Sequence, residues 1–500
     1  MARGAISNPP NKEMVDILIA PEIRADLDSP YHVYQAYLDV NKAHVLMLEK
    51  QGIIARKVAK DILKVTKKMA AMGDAPAFEI DPEREDLYFN LEHYLIEKTS
   101  PEIGGQQHTA RSRNDLYSTV LHLSARNAFF EVSKLFLKAR ETILELAEKN
   151  TETVLAGMTC LQPSEPVTVA HYLSGILANL ERDFARLAFA YRALNLSPLG
   201  ACSMGSTTWP IDRKLTAKLM GFDAPFDNSI DSVANVDFIG DILAAFTSAG
   251  NTLSRLAYDM YLWCTPEYGY LEVDDGVALC SSIMPQKKNP ITFEHIKAKA
   301  SHLAGFYVGA VGTTRGEPFG LTSIIYSEAP NYMWSAFREM GEVFRLVTAT
   351  LEGVKFKKER MVENARGNFC TVTELANTLV RVDGISFRTA HDIVADIVRF
   401  MLREGRKSNE IDAKLVGKFF KAVTKKPSKV TDRDVALALD PVLNAKSKKV
   451  LGGTAPSEVK RQLRARRKAL EADASELAKR LKKTLEAKKS MEKMLDALVK

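Results

Sequence analysis

Long stretches of helical periodicity alternate with short polar breaks along this chain. From Leu116 an apolar column recurs every seven residues through Leu123, Phe130, Leu137 and Leu144, with Phe129, Phe136 and Ile143 beside it. A second column runs through Ile239, Leu243, Phe246, Leu253, Leu256 and Met260, and a third follows Pro290. Alternating strand patterns are scarce, so the pattern predicts an all-α chain. Stripes this long exceed what a lone helix can hide and predict a bundle, within one chain or between subunits. Breaks are expected at Pro101 through Gly105, over a loop from Ser197 to Pro210, over a second from Gly312 to Pro330, and at Gly452-Gly453.

Composition narrows the class. Five hundred residues, 46% of them apolar, can bury a large core in more than one domain. No run is long and apolar enough to span a bilayer, and Met1 to Met14 is polar, with Pro9-Pro10 and no signal-peptide core. Cys160, Cys202, Cys264, Cys280 and Cys370 lack CxxC spacing, which indicates neither a disulfide framework nor a zinc site. A reduced, cytoplasmic protein is expected. The net charge of +7 resides in the tail, where residues 461–500 hold thirteen Lys and Arg against six Asp and Glu. Leu463, Leu470, Leu477, Leu481 and Leu485 recur among those charges and no aromatic stacks with them, so a solvated helix is expected rather than a nucleic-acid patch.

Two polar runs carry candidate chemistry. Ser281-Ser282-Ile283-Met284-Pro285-Gln286-Lys287-Lys288-Asn289-Pro290 packs hydroxyls, lysines and an amide just before a helical pattern, with Pro290 suited to the first turn. Backbone donors, a helix N-terminus and Lys287 together suit the charge of a carboxylate or carbanion. His108-Thr109-Ala110-Arg111-Ser112-Arg113-Asn114-Asp115 precedes the first long column. Ser, Asn and Asp are ordinary helix-entry residues. Two arginines around a serine, followed by an amide, also make a carboxylate clamp.

The decapeptide resembles the loop motif of the fumarase/aspartase superfamily, Ser-Ser-x-Met-Pro-x-Lys-x-Asn-Pro, and the octapeptide resembles that superfamily's argininosuccinate lyase branch. Thr159-Cys160-Leu161-Gln162-Pro163, Pro198-Leu199-Gly200, Asp212-Arg213 and Gly452-Gly453-Thr454-Ala455-Pro456 match further blocks in the same order, over roughly residues 15 to 465. The resemblance implies an N-terminal helical domain at 1–114 and a central helical-bundle domain at 115–364, with a catalytic loop at about 275–290. A small helical C-terminal domain with a basic tail would occupy 365–500. It implies a homotetramer around a twenty-helix core, active sites shared by three subunits, and no cofactor or metal. The implied reaction is reversible elimination of an amine from an N-substituted aspartate to give fumarate through an aci-carboxylate.

By carry-over, Ser281 is the general base, made acidic enough by Lys287, loop amides and desolvation. Lys287 and Asn289 bind the carboxylate that gathers charge, Glu294 supports the site from the following helix, and the loop is a lid. Ser112, Arg113, Asn114, Thr159 and Gln162 fix the succinyl half; His108, Arg111, Cys160 and Tyr326 are further candidates without an assigned role.

The departures concern the amine half. Cys160 stands where the branch has histidine, and a neutral thiol is a poor proton donor; a small buried thiol is expected there. Tyr88 replaces a histidine in Glu85-Asp86-Leu87-Tyr88, and Cys280 replaces a glycine. Where the branch has Tyr-Asn-Lys-Asp-Leu-Gln-Glu-Asp-Lys, this chain reads Leu321-Thr322-Ser323-Ile324-Ile325-Tyr326-Ser327-Glu328-Ala329. The expected activity is therefore that of an aminocarboxylic-acid lyase of the ethylenediamine-N,N′-disuccinate kind, with Arg111, Lys288 or Arg315 meeting a second carboxylate. Argininosuccinate lyase itself is the alternative, and a non-enzymatic structural descendant is the alternative of another class.

Overall fold

The structure, a computed structural model, describes residues 8–500; the first seven residues of the polar N-terminal stretch lie outside the described residues. Four helices come first: α1 (Ala20–Leu27), α2 (Val33–Lys50), α3 (Arg56–Ala70) and α4 (Leu87–Glu97). Five long ones form the bundle: α5 (Arg113–Glu148), α6 (Val169–Leu194), α7 (Asp237–Trp263), α8 (Ile291–Thr314) and α9 (Ala329–Glu352). A smaller group follows, α10 (Val372–Asp383), α11 (Phe387–Arg403), α12 (Ala413–Thr424) and α13 (Asp432–Leu439), and then the tail helix α14 (Pro456–Val499). The fold is all-α, as the periodicity predicts.

Every residue of the first two apolar columns is buried. Leu116 and Leu123 pack with the N-terminal helices, whereas Phe130 and the rest of the α5 column join α6 to α9. Helix α5 therefore ties the two cores together. Close helix crossings depend on two glycines. A Cβ on Gly250 would stand 2.5 Å from Leu303, and one on Gly309 would stand 2.4 Å from the Tyr332 ring.

Side-chain contacts fix the directions of the bundle helices. Tyr172 donates to Asp259 at 2.6 Å, so α6 starts beside the end of α7, and Tyr261 donates to Glu294 at 3.0 Å, so α8 starts there too. The opposite end holds the start of α5, where Tyr117 stacks on Tyr326 just before α9 (centroids 5.0 Å).

Four expectations are corrected. Pro101–Gly104 is a helical turn, since Ser100 caps it and proline suits its first position. Pro290 sits one residue outside α8, as its N-cap. Helix α8 continues to Thr314, and Ile324–Glu328 forms a π-helical turn, which shortens the expected loop at both ends. The tail is a helix solvated on its charged face only, because its apolar stripe is packed. Val459, Leu463, Leu470 and Leu477 are buried against the bundle, and Met491, Leu495 and Leu498 against the N-terminal core. Several of its cations are paired with acids of other helices: Arg467 with Glu148 at 2.7 Å, Arg466 with Glu181 at 3.4 Å and Lys488 with Asp39 at 3.0 Å. Of the five leucines, Leu485 is the one left exposed. No helix among the described residues is long and apolar enough to cross a membrane.

Candidate active site

The first group of candidates is built on the start of α5. Ser112 is its N-cap: the hydroxyl accepts from the Asn114 N–H at 3.2 Å, and Asp115 accepts from the Ser112 N–H at 3.0 Å. The other Asp115 oxygen accepts from the Gly200 and Cys202 N–H groups, both at 2.9 Å, and so ties the 198–206 loop to the helix entrance. Burial pushes this carboxyl up to about 6, against the pull of those amides. The Asn114 amide donates to the Ser203 carbonyl at 3.0 Å.

Around this entrance the two arginines are already engaged. Arg111 is 6% exposed and donates to Asn41 at 2.8 Å, so it cannot reach a substrate carboxylate as the sequence suggested. Arg113 donates to Asp86 at 2.9 Å and Glu85 at 3.1 Å and lies over the Phe89 ring. His108 shares a 2.6 Å hydrogen bond with Tyr88, whose own proton goes to Glu92 at 2.8 Å. The imidazole Nδ1 is then the donor, and burial beside Arg111 and Arg113 lowers its pKa to about 4. His108 is a neutral base at neutral pH.

The second group is a β-hairpin that the sequence reading missed. Strands β1 (Val154–Thr159) and β2 (Gln162–Thr168) pair antiparallel from Val154 opposite Thr168 to Thr159 opposite Gln162. Cys160 and Leu161 form the two-residue loop, both left-handed, at φ 52° and 58°. Such turns ordinarily take Asn-Gly, so this one is strained. Thr159, Cys160 and Gln162 are all exposed, which overturns the expected burial of the Cys160 thiol: a hairpin tip has no core to enter.

The third group is the 281–289 loop. Strands β3 (Leu279–Cys280) and β4 (Lys288–Asn289) clamp its base. The Ser281 hydroxyl accepts from the Met284 N–H at 3.0 Å and the Ile283 N–H at 3.3 Å. Lys288 pairs with Asp275 at 2.5 Å and Glu272 at 3.6 Å, which takes it, like Arg111, out of the set of free cations. Lys287 is exposed, and Glu294 accepts from Tyr261.

One chain does not assemble these groups. Helix α5 separates Ser112 from the hairpin by 36 residues, about 54 Å at 1.5 Å per residue. Ser281 and Asn289 precede α8, at the hairpin end of the bundle, whereas Tyr326 lies at the other end against Tyr117. The structure thus joins Tyr326 to the Ser112–Asn114 block and leaves half-buried Ser281 and Asn289 and exposed Lys287 at the far end.

Sequence reasoning also missed Asp86, Asp115, Tyr117 and a group of partly buried acids from α1, treated below. Only the capping spacing Ser112-x-x-Asp115 could have flagged one of them.

Residues 27–305 match the family described as Lyase, and residues 369–444 the family described as Argininosuccinate lyase C-terminal. The chain is 44% identical to argininosuccinate lyase 1 of Shouchella clausii over 95% of each chain. It is 37% identical to the argininosuccinate lyase of Methanocaldococcus jannaschii, over 90% of this chain and 91% of the relative. Among solved structures it is similar to EDDS lyase in complex with formate, with a TM-score of 0.87 and 28% identity, over 99% of this chain and 97% of the other.

Proposed function

The chain belongs to the argininosuccinate lyase branch of the fumarase/aspartase superfamily and is a carbon–nitrogen lyase, and from that premise we propose that it reversibly releases fumarate from an N-substituted aspartate. Ser281 takes the Cβ proton. The two backbone N–H groups on its hydroxyl are the donors that a serine alkoxide needs. The electron pair left on Cβ is held as an aci-carboxylate by Lys287 and Asn289. It then forms the C=C bond of fumarate as the C–N bond breaks and the nitrogen keeps that bond's pair. A donor nitrogen that enters protonated leaves as a neutral amine, so the loss of histidine at Cys160 does not stop the reaction.

Ser112, Asn114, Thr159 and Gln162 hold the succinyl half directly. Arg113, bound to two carboxylates, acts by holding the α5 entrance to α4. Glu294 orients the start of α8 through Tyr261. Because the three groups lie at opposite ends of the bundle, a complete site needs more than one copy. A homotetramer with five long helices per copy, twenty in all, would supply it. Exposed Tyr258, Val308 and Val311 on α7 and α8 are suited to such a core.

The amine is of the ethylenediamine-N,N′-disuccinate kind. One observation carries this: the segment 321–329, which meets the Ser112 block through Tyr326, lacks the polar run of the branch. The likeness to EDDS lyase supports it. Argininosuccinate is the second reading, favoured by the names of relatives up to 44% identical. Incubation with excess fumarate and a panel of amines, followed by mass spectrometry, separates them. A diamine adduct without an arginine adduct supports the first reading, an arginine adduct supports the second, and no adduct with any amine overturns both.

A further inference from the structure

Four residues lead into the Ser112 cap, and each is held by a side chain to which the reaction above gives no part. His108 is held by Tyr88, and Arg111 by Asn41 at 2.8 Å and by the Tyr88 hydroxyl at 3.4 Å. The two residues between them are held by their main chain. The Thr109 carbonyl accepts from the His44 ring at 2.9 Å, and the Ala110 carbonyl from the Cys202 thiol at 3.3 Å.

This turn needs holding. Ala110 is left-handed at φ 57°, which costs a residue other than glycine about 1 kcal/mol or more. The chain then returns to extended backbone at Ser112, with φ −120°. A relaxed turn would carry away the Ser112 hydroxyl and the Asn114 amide, the groups that hold the succinyl half.

His44 is an odd choice for a core position. It is 1% exposed on α2, within an unbroken buried run from Val40 to Leu48, where an apolar side chain would leave no polar atom to satisfy. Because a carbonyl can only accept, Nε2 carries the proton, and Nδ1 has no partner among the described residues. Burial and the nearby Arg111 charge hold its pKa well below the usual histidine value, so the ring is neutral in this one tautomer. Its single N–H goes to the turn. Asn41, three residues earlier on α2, takes the Arg111 guanidinium, so the same helix grips the turn twice.

We infer that His44 is a positioning residue for the succinyl-binding block: its Nε2–H fixes the Thr109–Arg111 turn and, through it, Ser112 and Asn114. Buried as it is, His44 does not touch substrate. The inference rests on the assignment of Ser112 and Asn114 given above and goes beyond it by placing control of that block on α2.

Two substitutions of similar polarity separate the bond from the bulk. His44→Gln puts an amide nitrogen near the position of Nε2, whereas His44→Asn puts it near that of Nδ1. Isothermal titration of the full-length protein with fumarate is the readout, with melting temperatures measured alongside. His44→Asn should weaken fumarate binding at least about tenfold, the worth of one buried hydrogen bond, and His44→Gln should stay within about threefold of the parent. Cys202→Ala, which frees the Ala110 carbonyl and leaves α2 untouched, should weaken binding about threefold. Equal affinities in the Asn and Gln variants, or lower melting temperatures with fumarate affinity unchanged, overturn the inference and leave the lyase reading standing. Ser112→Ala is the control: fumarate binding that it does not weaken overturns the role of the block and the inference with it. A parent that binds no fumarate overturns the lyase reading as well.

Discussion

Ser281 and Asp115 each accept backbone N–H bonds, yet with opposite consequences. For Ser281 the donors stabilise a charge that arises during turnover. Ser281→Ala should lower kcat at least about 100-fold with an unaltered circular dichroism spectrum, and turnover within tenfold of the parent would remove it as the base. For Asp115 the donors belong to Ser112, Gly200 and Cys202, and losing their acceptor strands three of them. Asp115→Ala is expected to cost about 3 kcal/mol in urea denaturation. The α1 acids give a pH signature. Glu22 and Asp26 bind protons more tightly folded than unfolded, so their contribution to stability is full below about pH 4 and lost as pH rises through 7 to 8. The groups facing them are Asp86, Glu328 and Ser327 for Glu22, and Glu22 and Asp86 for Asp26, so no facing cation reverses that sign. The Glu22→Gln, Asp26→Asn variant should gain on the parent in thermal melts between pH 5.5 and 8.5, and a constant offset would contradict this. None of these acids was legible in the sequence, because only the fold brings α1, α4 and the turn before α9 together.

Among the elements, α5 and α7 were legible because an unbroken apolar column is a local signal that burial then confirms. The β1–β2 hairpin was not. Gly157, Pro163 and Pro166 interrupt its alternation, and the register shifts between Ala156 and Met158. Its turn also lacks the usual residues, since Cys160 and Leu161 both adopt positive φ. Replacing the pair by Asn-Gly should stabilise the hairpin by about 1 kcal/mol, read as slower amide exchange in β1 and β2. Unchanged or faster exchange would mean that the strained turn is held by contacts outside the hairpin. The blocks at Ser112 and Ser281 were legible as capping and turn chemistry, though the engagement of Arg111 by Asn41, and of Arg113 and Lys288 by nearby acids, was not.

For the whole molecule, the distance along α5 makes a direct prediction. Ser281→Ala and Asn114→Ala proteins, each inactive alone, should regain activity when mixed, unfolded and refolded together, because some mixed assemblies then contain an intact site. Failure to complement would return the site to a single chain. The tail helix has a different consequence, one of timing. Lys42 on α2 is held by Glu492 at 2.7 Å across 450 residues, and Met491, Leu495 and Leu498 complete the N-terminal core. The first helices to leave the ribosome must therefore wait for the last turns of α14, on the order of half a minute at 5–20 residues per second. Through that interval their apolar faces stay open, and chaperone capacity rather than final stability becomes the limit on yield.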